Sequence, residues 1–122
     1  PTSPRVKEAT EVIDASRAKL ELKDYKTATL YDNLSLYRAA AISYGLLSDN
    51  YPDSKKSDQY KLLTVKAYYK FAMNSFEDKQ KERFEKVTTE YNDFVDRYSD
   101  SPLLPEAKKI KQQTDNFLNN KK

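Results

Sequence analysis

Between residues 37 and 51 the bulky apolar and aromatic positions recur at helical spacing: Tyr37, Ala40, Tyr44, Leu47 and Tyr51 share one face of a helical wheel. The rhythm returns downstream, where Phe84, Val87, Tyr91, Phe94, Val95 and Tyr98 form a single stripe. Polar turn clusters interrupt it at Pro52-Asp53-Ser54 and Ser99-Asp100-Ser101. Together these patterns predict five helices, near residues 4–34, 37–51, 55–74, 78–98 and 102–119. The first is unusually long, because Arg5 to Leu34 contains no Pro, no Gly and no turn cluster; a break near Lys23-Asp24 is the alternative. Ser3, Ser54 and Ser101 are the predicted N-caps, each offering a hydroxyl to the orphan N–H groups of the next helix. Pro4 and Pro102 would then occupy the first helical position, where a missing N–H costs nothing.

The pattern also repeats as a whole. Residues 37–54 superpose on 84–101 without a gap at an offset of 47, pairing Tyr37 with Phe84, Tyr44 with Tyr91, Leu47 with Phe94 and Tyr51 with Tyr98. Pro1-Thr2-Ser3 aligns with Pro52-Asp53-Ser54, so the chain is expected to begin at the end of a preceding repeat and to be a fragment of a longer protein. Alternation of small and large residues matches the tetratricopeptide pattern, in which two antiparallel helices pack closely. Ala28, Tyr31, Tyr37, Ala40, Tyr44, Leu47 and Pro52 fill its positions in the first unit; Tyr68, Phe84, Val87, Tyr91 and Phe94 do so in the second, with Ser99 in place of the Pro. Ser35 stands where the pattern has its inter-helix Gly, and the period exceeds the usual ~34 residues through extra length around 74–81. The expected architecture is an all-α, tetratricopeptide-like α-solenoid of about five antiparallel helices in one domain over 1–122, with units at 4–54 and 55–101 and a terminal helix at 102–119.

Composition narrows the chemistry. The chain has one Gly and no Cys, His or Trp, which removes thiol redox motifs, Cys/His zinc sites, histidine-dependent triads and glycine-rich phosphate loops. Carboxylate pairs such as Glu11/Asp14 and Asp93/Asp96 share helix faces, but no nucleophile or phosphate framework accompanies them, so they are expected to be surface charges and the protein a non-enzyme without cofactor or metal. The 22 basic residues are interleaved with 19 acidic ones, so a net charge of +3 reads as a mixed solvated surface and no nucleic-acid partner is expected. No apolar run approaches the length of a bilayer span.

Lys26 to Ser54, with Leu30-Tyr-Asp-Asn-Leu-Ser-Leu-Tyr-Arg-Ala-Ala and Tyr51-Pro-Asp-Ser, resembles the BamD family of outer-membrane protein assembly lipoproteins. Tyr68-Tyr-Lys-Phe-Ala-Met-Asn-Ser followed by Glu77-Asp-Lys-Gln-Lys-Glu-Arg-Phe is similar to the longer repeat of its Bacteroidetes-like members, and the resemblance covers most of residues 1–118. It implies the C-terminal half of a lipoprotein held on the periplasmic face of the bacterial outer membrane by an N-terminal lipid anchor that this chain lacks. It further implies a scaffold role in β-barrel assembly, with BamA-like POTRA domains and other assembly lipoproteins as partners. A generic tetratricopeptide adaptor that binds peptides in the cell envelope is the alternative.

The second apolar strip of helix 37–51, Ala39, Ile42 and Leu46, lies opposite its core face and must meet either a neighbouring repeat or a partner. In the family the partner-docking contacts of this repeat use charged or polar groups on its second helix, a stretch matching Arg38 to Ser43, and Ser43 stands where other members can place a basic residue. Arg38, Ile42, Ser43 and Leu46 are therefore the candidate partner-binding patch. Tyr68 and Tyr69 point about 100° apart on a helix, so either one is exposed for recognition or Tyr69 packs under the inserted segment. The run Lys79 to Arg83 reads as a solvated face.

Overall fold

The computed structural model describes the backbone of residues 4–120 and the side chains of residues 11–120. Five helices follow in chain order: α1 (Pro4–Asn33), α2 (Tyr37–Asn50), α3 (Ser57–Met73), α4 (Glu77–Arg97) and α5 (Leu104–Asn119). Short turns reverse the direction each time, so every helix packs antiparallel to the one before it, and α3 also touches α5. The result is an all-helical, solenoid-like bundle.

α1 is unbroken at Lys23-Asp24 and, at 30 residues, runs about 45 Å, roughly twice the length of α2. All of residues 11–20 are exposed, with Val12 and Ile13 each 65% open. Contact with the bundle begins at Arg17, whose Nη2 donates to the Asn50 carbonyl at 2.7 Å and whose guanidinium lies 5.0 Å from the Tyr51 ring centroid. From there hydroxyls and carboxylates tie α1 down. Glu21 accepts from Tyr60 at 2.5 Å and from Ser54 at 2.7 Å, Asp24 from Tyr51 at 3.0 Å, and Asp32 from Lys70 at 3.2 Å. Burial and the Glu21 carboxylate both push the Tyr60 hydroxyl's pKa upward, which keeps it a donor.

The α1–α2 turn explains the departure at Ser35. Its φ of 61° is left-handed, Ser35 N–H donates to the Asp32 carbonyl at 3.0 Å, and Leu36 N–H reaches back to Tyr31 at 2.9 Å. This is the Schellman closure that favours Gly, here built with Ser.

The apolar faces form two clusters. Ala28, Ala40, Tyr44, Leu47, Tyr51 and Tyr60 are buried in the first; Val65, Phe84, Val87, Phe94, Ala107 and Ile110 are buried in the second; Tyr68 packs against both. The predicted stripes are thus core, with Tyr37, Tyr91, Val95 and Tyr98 half-buried at their margins. Tyr69 is half-buried too, edge-on to Phe84 at 5.8 Å.

The capping expectations need correction. α3 starts at Ser57 and α5 at Leu104, and neither has a side-chain N-cap bond. Ser54 and Ser101 sit in the turns ahead: each accepts a backbone N–H two residues on, and each donates its hydroxyl across the bundle, to Glu21 and Asp58 respectively. Pro105, not Pro102, lies in the first turn of α5. Ser3 lies outside the described residues.

Candidate functional site

α2 is filled on the sides that face α1 and α3, where Ala40, Ala41, Tyr44, Leu47 and Ser48 are buried. Its remaining side carries the predicted patch. Ile42 is 46% and Leu46 54% exposed, Arg38 is exposed and Ser43 is half-buried. Among the described residues no helix buries this strip.

The reason lies in how α2 and α4 meet. At their C-terminal ends they are linked: Ser48 Oγ lies 3.3 Å from the Tyr98 hydroxyl, and Arg97 donates to Asp49 at 3.0 Å. α4 is fastened to α3 close by. The Lys61 ammonium, only 6% exposed, donates to Glu90 at 2.5 Å and contacts Asp93 at 2.6 Å. Toward their N-terminal ends the two helices leave a groove of about 540 Å³. α3 floors it with Tyr68 and Phe71, α2 contributes Arg38 and Ile42, and α4 contributes Glu82 and Glu85. An apolar extension of about 570 Å³ runs on to Leu36, Tyr37 and Ala39 at the α1–α2 turn.

Of the four patch residues, Arg38 and Ile42 therefore line the groove, while Ser43 and Leu46 stand outside it. Tyr68, Phe71 and Arg83 also line the groove: the sequence pattern makes Tyr68 the second unit's aromatic, places Arg83 in a solvated run and gives Phe71 no role. Arg83 is half-buried: its guanidinium lies 4.3 Å from the Phe71 centroid and donates to Ser75 Oγ at 2.6 Å. Aromatics three residues apart, Tyr68 and Phe71, were the available signal, since that spacing puts both on one side of α3.

The groove's charges divide into engaged and free. Lys86 lies over the Tyr68 ring at 5.3 Å and pairs with Glu90 at 3.1 Å; Lys70 lies over Tyr37 at 5.6 Å and pairs with Asp32. Among the described residues Arg38 has no ion-pair or hydrogen-bond partner, and neither do the carboxylates of Glu82 and Glu85. One wall thus presents a free cation and the other two free anions above an apolar floor, an arrangement suited to recognising another polypeptide.

The carboxylate pairs fall elsewhere. Glu11 and Asp14 are exposed on the unpaired part of α1, and Asp93 is committed to Lys61 and Arg97. Among the described residues no helix is long and apolar enough to cross a membrane. No protein-family model matches the chain, and no curated protein matches it significantly.

Proposed function

We propose that this chain is a non-enzymatic scaffold in the assembly and insertion of outer-membrane β-barrel proteins, and that it docks through the open side of α2 onto periplasmic domains of the barrel insertase. The resemblance of its repeats to the BamD family supplies the biological setting: a lipoprotein on the periplasmic face of the outer membrane, with POTRA domains and other assembly lipoproteins as partners. The observation that carries the docking role is the strip of Ile42 and Leu46. It is half-open to water on a helix whose other faces are packed, and it runs beside the groove that Arg38 and Ile42 line. Exposed apolar residues grouped beside a polar rim are the usual makings of a protein interface.

The test is titration of the chain with the POTRA region of the same organism's barrel insertase, alongside the double variant Ile42→Asp/Leu46→Asp. Both positions are exposed, so circular dichroism should report an unchanged fold. Binding that disappears in the folded variant supports the role and the surface together. Absence of binding by the wild type at tens of micromolar would overturn the reading in favour of a peptide-binding adaptor of the cell envelope.

A further inference from the structure

We propose that the groove between α2 and α4 receives an amphipathic α-helix of the partner, with carboxylates along one flank of its apolar stripe and ammonium or guanidinium groups along the other. The inference rests on the docking role above and deepens it by naming the form and chemistry of the docked element.

The case for a helix comes from what the groove lacks. Its walls and floor are side chains from within helices: Arg38 and Ile42 on α2, Tyr68 and Phe71 on α3, Glu82 and Glu85 on α4. Backbone N–H and C=O groups inside helices are already consumed. An extended segment laid over Ile42, Tyr68 and Phe71 would bury its own peptide groups against apolar surface, at the cost of unmade hydrogen bonds. A helix brings those bonds with it and offers side chains at i, i+3, i+4 and i+7 to the floor.

The case for divided flanks comes from charge. Arg38 on α2 has no partner among the described residues, and Glu82 and Glu85, three residues apart on one face of α4, have none either. Of the other cations at the groove, Lys86 is offset by Glu90, while Arg83, held by the neutral Phe71 and Ser75, offsets one of the two free carboxylates and leaves the α4 wall net negative. A helix seated between the walls meets positive charge on the α2 side and negative charge on the α4 side. Reversing the helix end for end exchanges its flanks, so the division of charge also sets the direction in which it lies.

The experiment uses designed peptides about 18 residues long, enough to be helical alone, and fluorescence anisotropy on the whole chain. One peptide carries a Leu/Ala stripe with Glu on one flank and Lys on the other. Two relatives carry Glu on both flanks or Lys on both, and a fourth is the mixed peptide broken by two central prolines. The mixed helix should bind at least about fivefold tighter than either uniform peptide, the scale of one or two rim ion pairs. Arg38→Glu makes both walls acidic and should hand the preference to the Lys-flanked peptide, while Ile42→Asp should weaken all of them. Equal binding by the proline-broken peptide would overturn the inference, as would indifference to flank charge. Self-association of the chain that Ile42→Asp abolishes would also overturn it, by showing a second copy in the groove. Failure of every helix probe while the POTRA region still binds would sink this inference alone; failure of both would remove the docking role beneath it.

Discussion

Replacing Lys61 with Met should cost about 2 kcal/mol of folding stability at neutral pH, a figure that follows from its surroundings. The ammonium is 6% exposed and sits 2.5 Å from Glu90 and 2.6 Å from Asp93. Removing one partner of a buried ion pair typically costs about 3–5 kcal/mol, because the charge left behind stays desolvated. Two features reduce that here. Glu90 keeps Lys86 at 3.1 Å, and Asp93, 36% exposed, keeps Arg97 at 3.3 Å. Met preserves most of the buried stem, so no large cavity opens. For a chain of this size the loss should appear as a fall in Tm of roughly 8 °C, and urea denaturation followed by far-UV circular dichroism would measure it directly. Glu90→Gln in the same background should restore about half of the loss, since one of the stranded charges is gone. Burial pushes the Asp93 carboxyl up, but the hydrogen bond and charge of Lys61, helped by Arg97, outweigh it and hold the pKa below the usual 3.8. That contribution is complete above the unfolded value and fades as pH falls through the lower folded one. Burial likewise opposes the charge on Lys61, yet Asp93 and Glu90 raise its pKa above 10.5, so its share persists below that value and fades as pH rises through the folded one. The Lys61→Met penalty should therefore be flat between about pH 5 and 10 and shrink at both ends. A penalty under about 0.5 kcal/mol at pH 7, or one undiminished at pH 3, would refute the reasoning.

Two backbone substitutions test the local account. Ser35→Gly should stabilise by about 0.5–1 kcal/mol, because relief of a left-handed L-residue outweighs the extra freedom Gly gains on unfolding; a neutral or negative result in urea would mean that the φ of 61° carries no strain. Gly45→Ala should stabilise by a similar amount, roughly 0.8 kcal/mol: a Cβ there would meet Thr64 Cγ2 at an ordinary 3.7 Å, so α2 gains helix propensity without a clash. A lower midpoint for this variant would show that α2 and α3 pack more tightly than that distance implies.

Periodicity carried the helices because each stripe answers to one physical demand, burial of one face, which the chain states locally. Phe84, Val87 and Phe94 are buried where their spacing put them, and Ala40, Tyr44 and Leu47 likewise. The start signals misled because a Ser ahead of a helical pattern has two uses that the sequence does not separate. Ser54 and Ser101 hold turns and donate to carboxylates that are remote in the chain, Glu21 and Asp58, and the helices begin three residues later. Ser35 was legible as a missing Gly, and its left-handed backbone shows that the position's demand is conformational and persists when the residue departs from the pattern.

The patch was half legible for a related reason. A wheel of α2 identifies the side carrying Arg38, Ile42 and Leu46, but it cannot say which of them faces a neighbour across a gap. That depends on where α4 lies. Polar groups around the far end of the two helices decide it, Ser48 with Tyr98 and Asp49 with Arg97, braced by Lys61 on α3. None of these pairs has a sequence signature, since their members are 50, 48 and 29 residues apart. The tether draws α2 and α4 together beyond Ser48 and leaves them parted at Ile42, where Phe71 and Tyr68 fill the floor but not the space above it. Loosening that tether should therefore alter the groove before it alters the core. Arg97→Ala breaks two exposed ion pairs, to Asp49 and to Asp93, worth together only about 1 kcal/mol, yet it removes one of the two links that set the spacing of the walls.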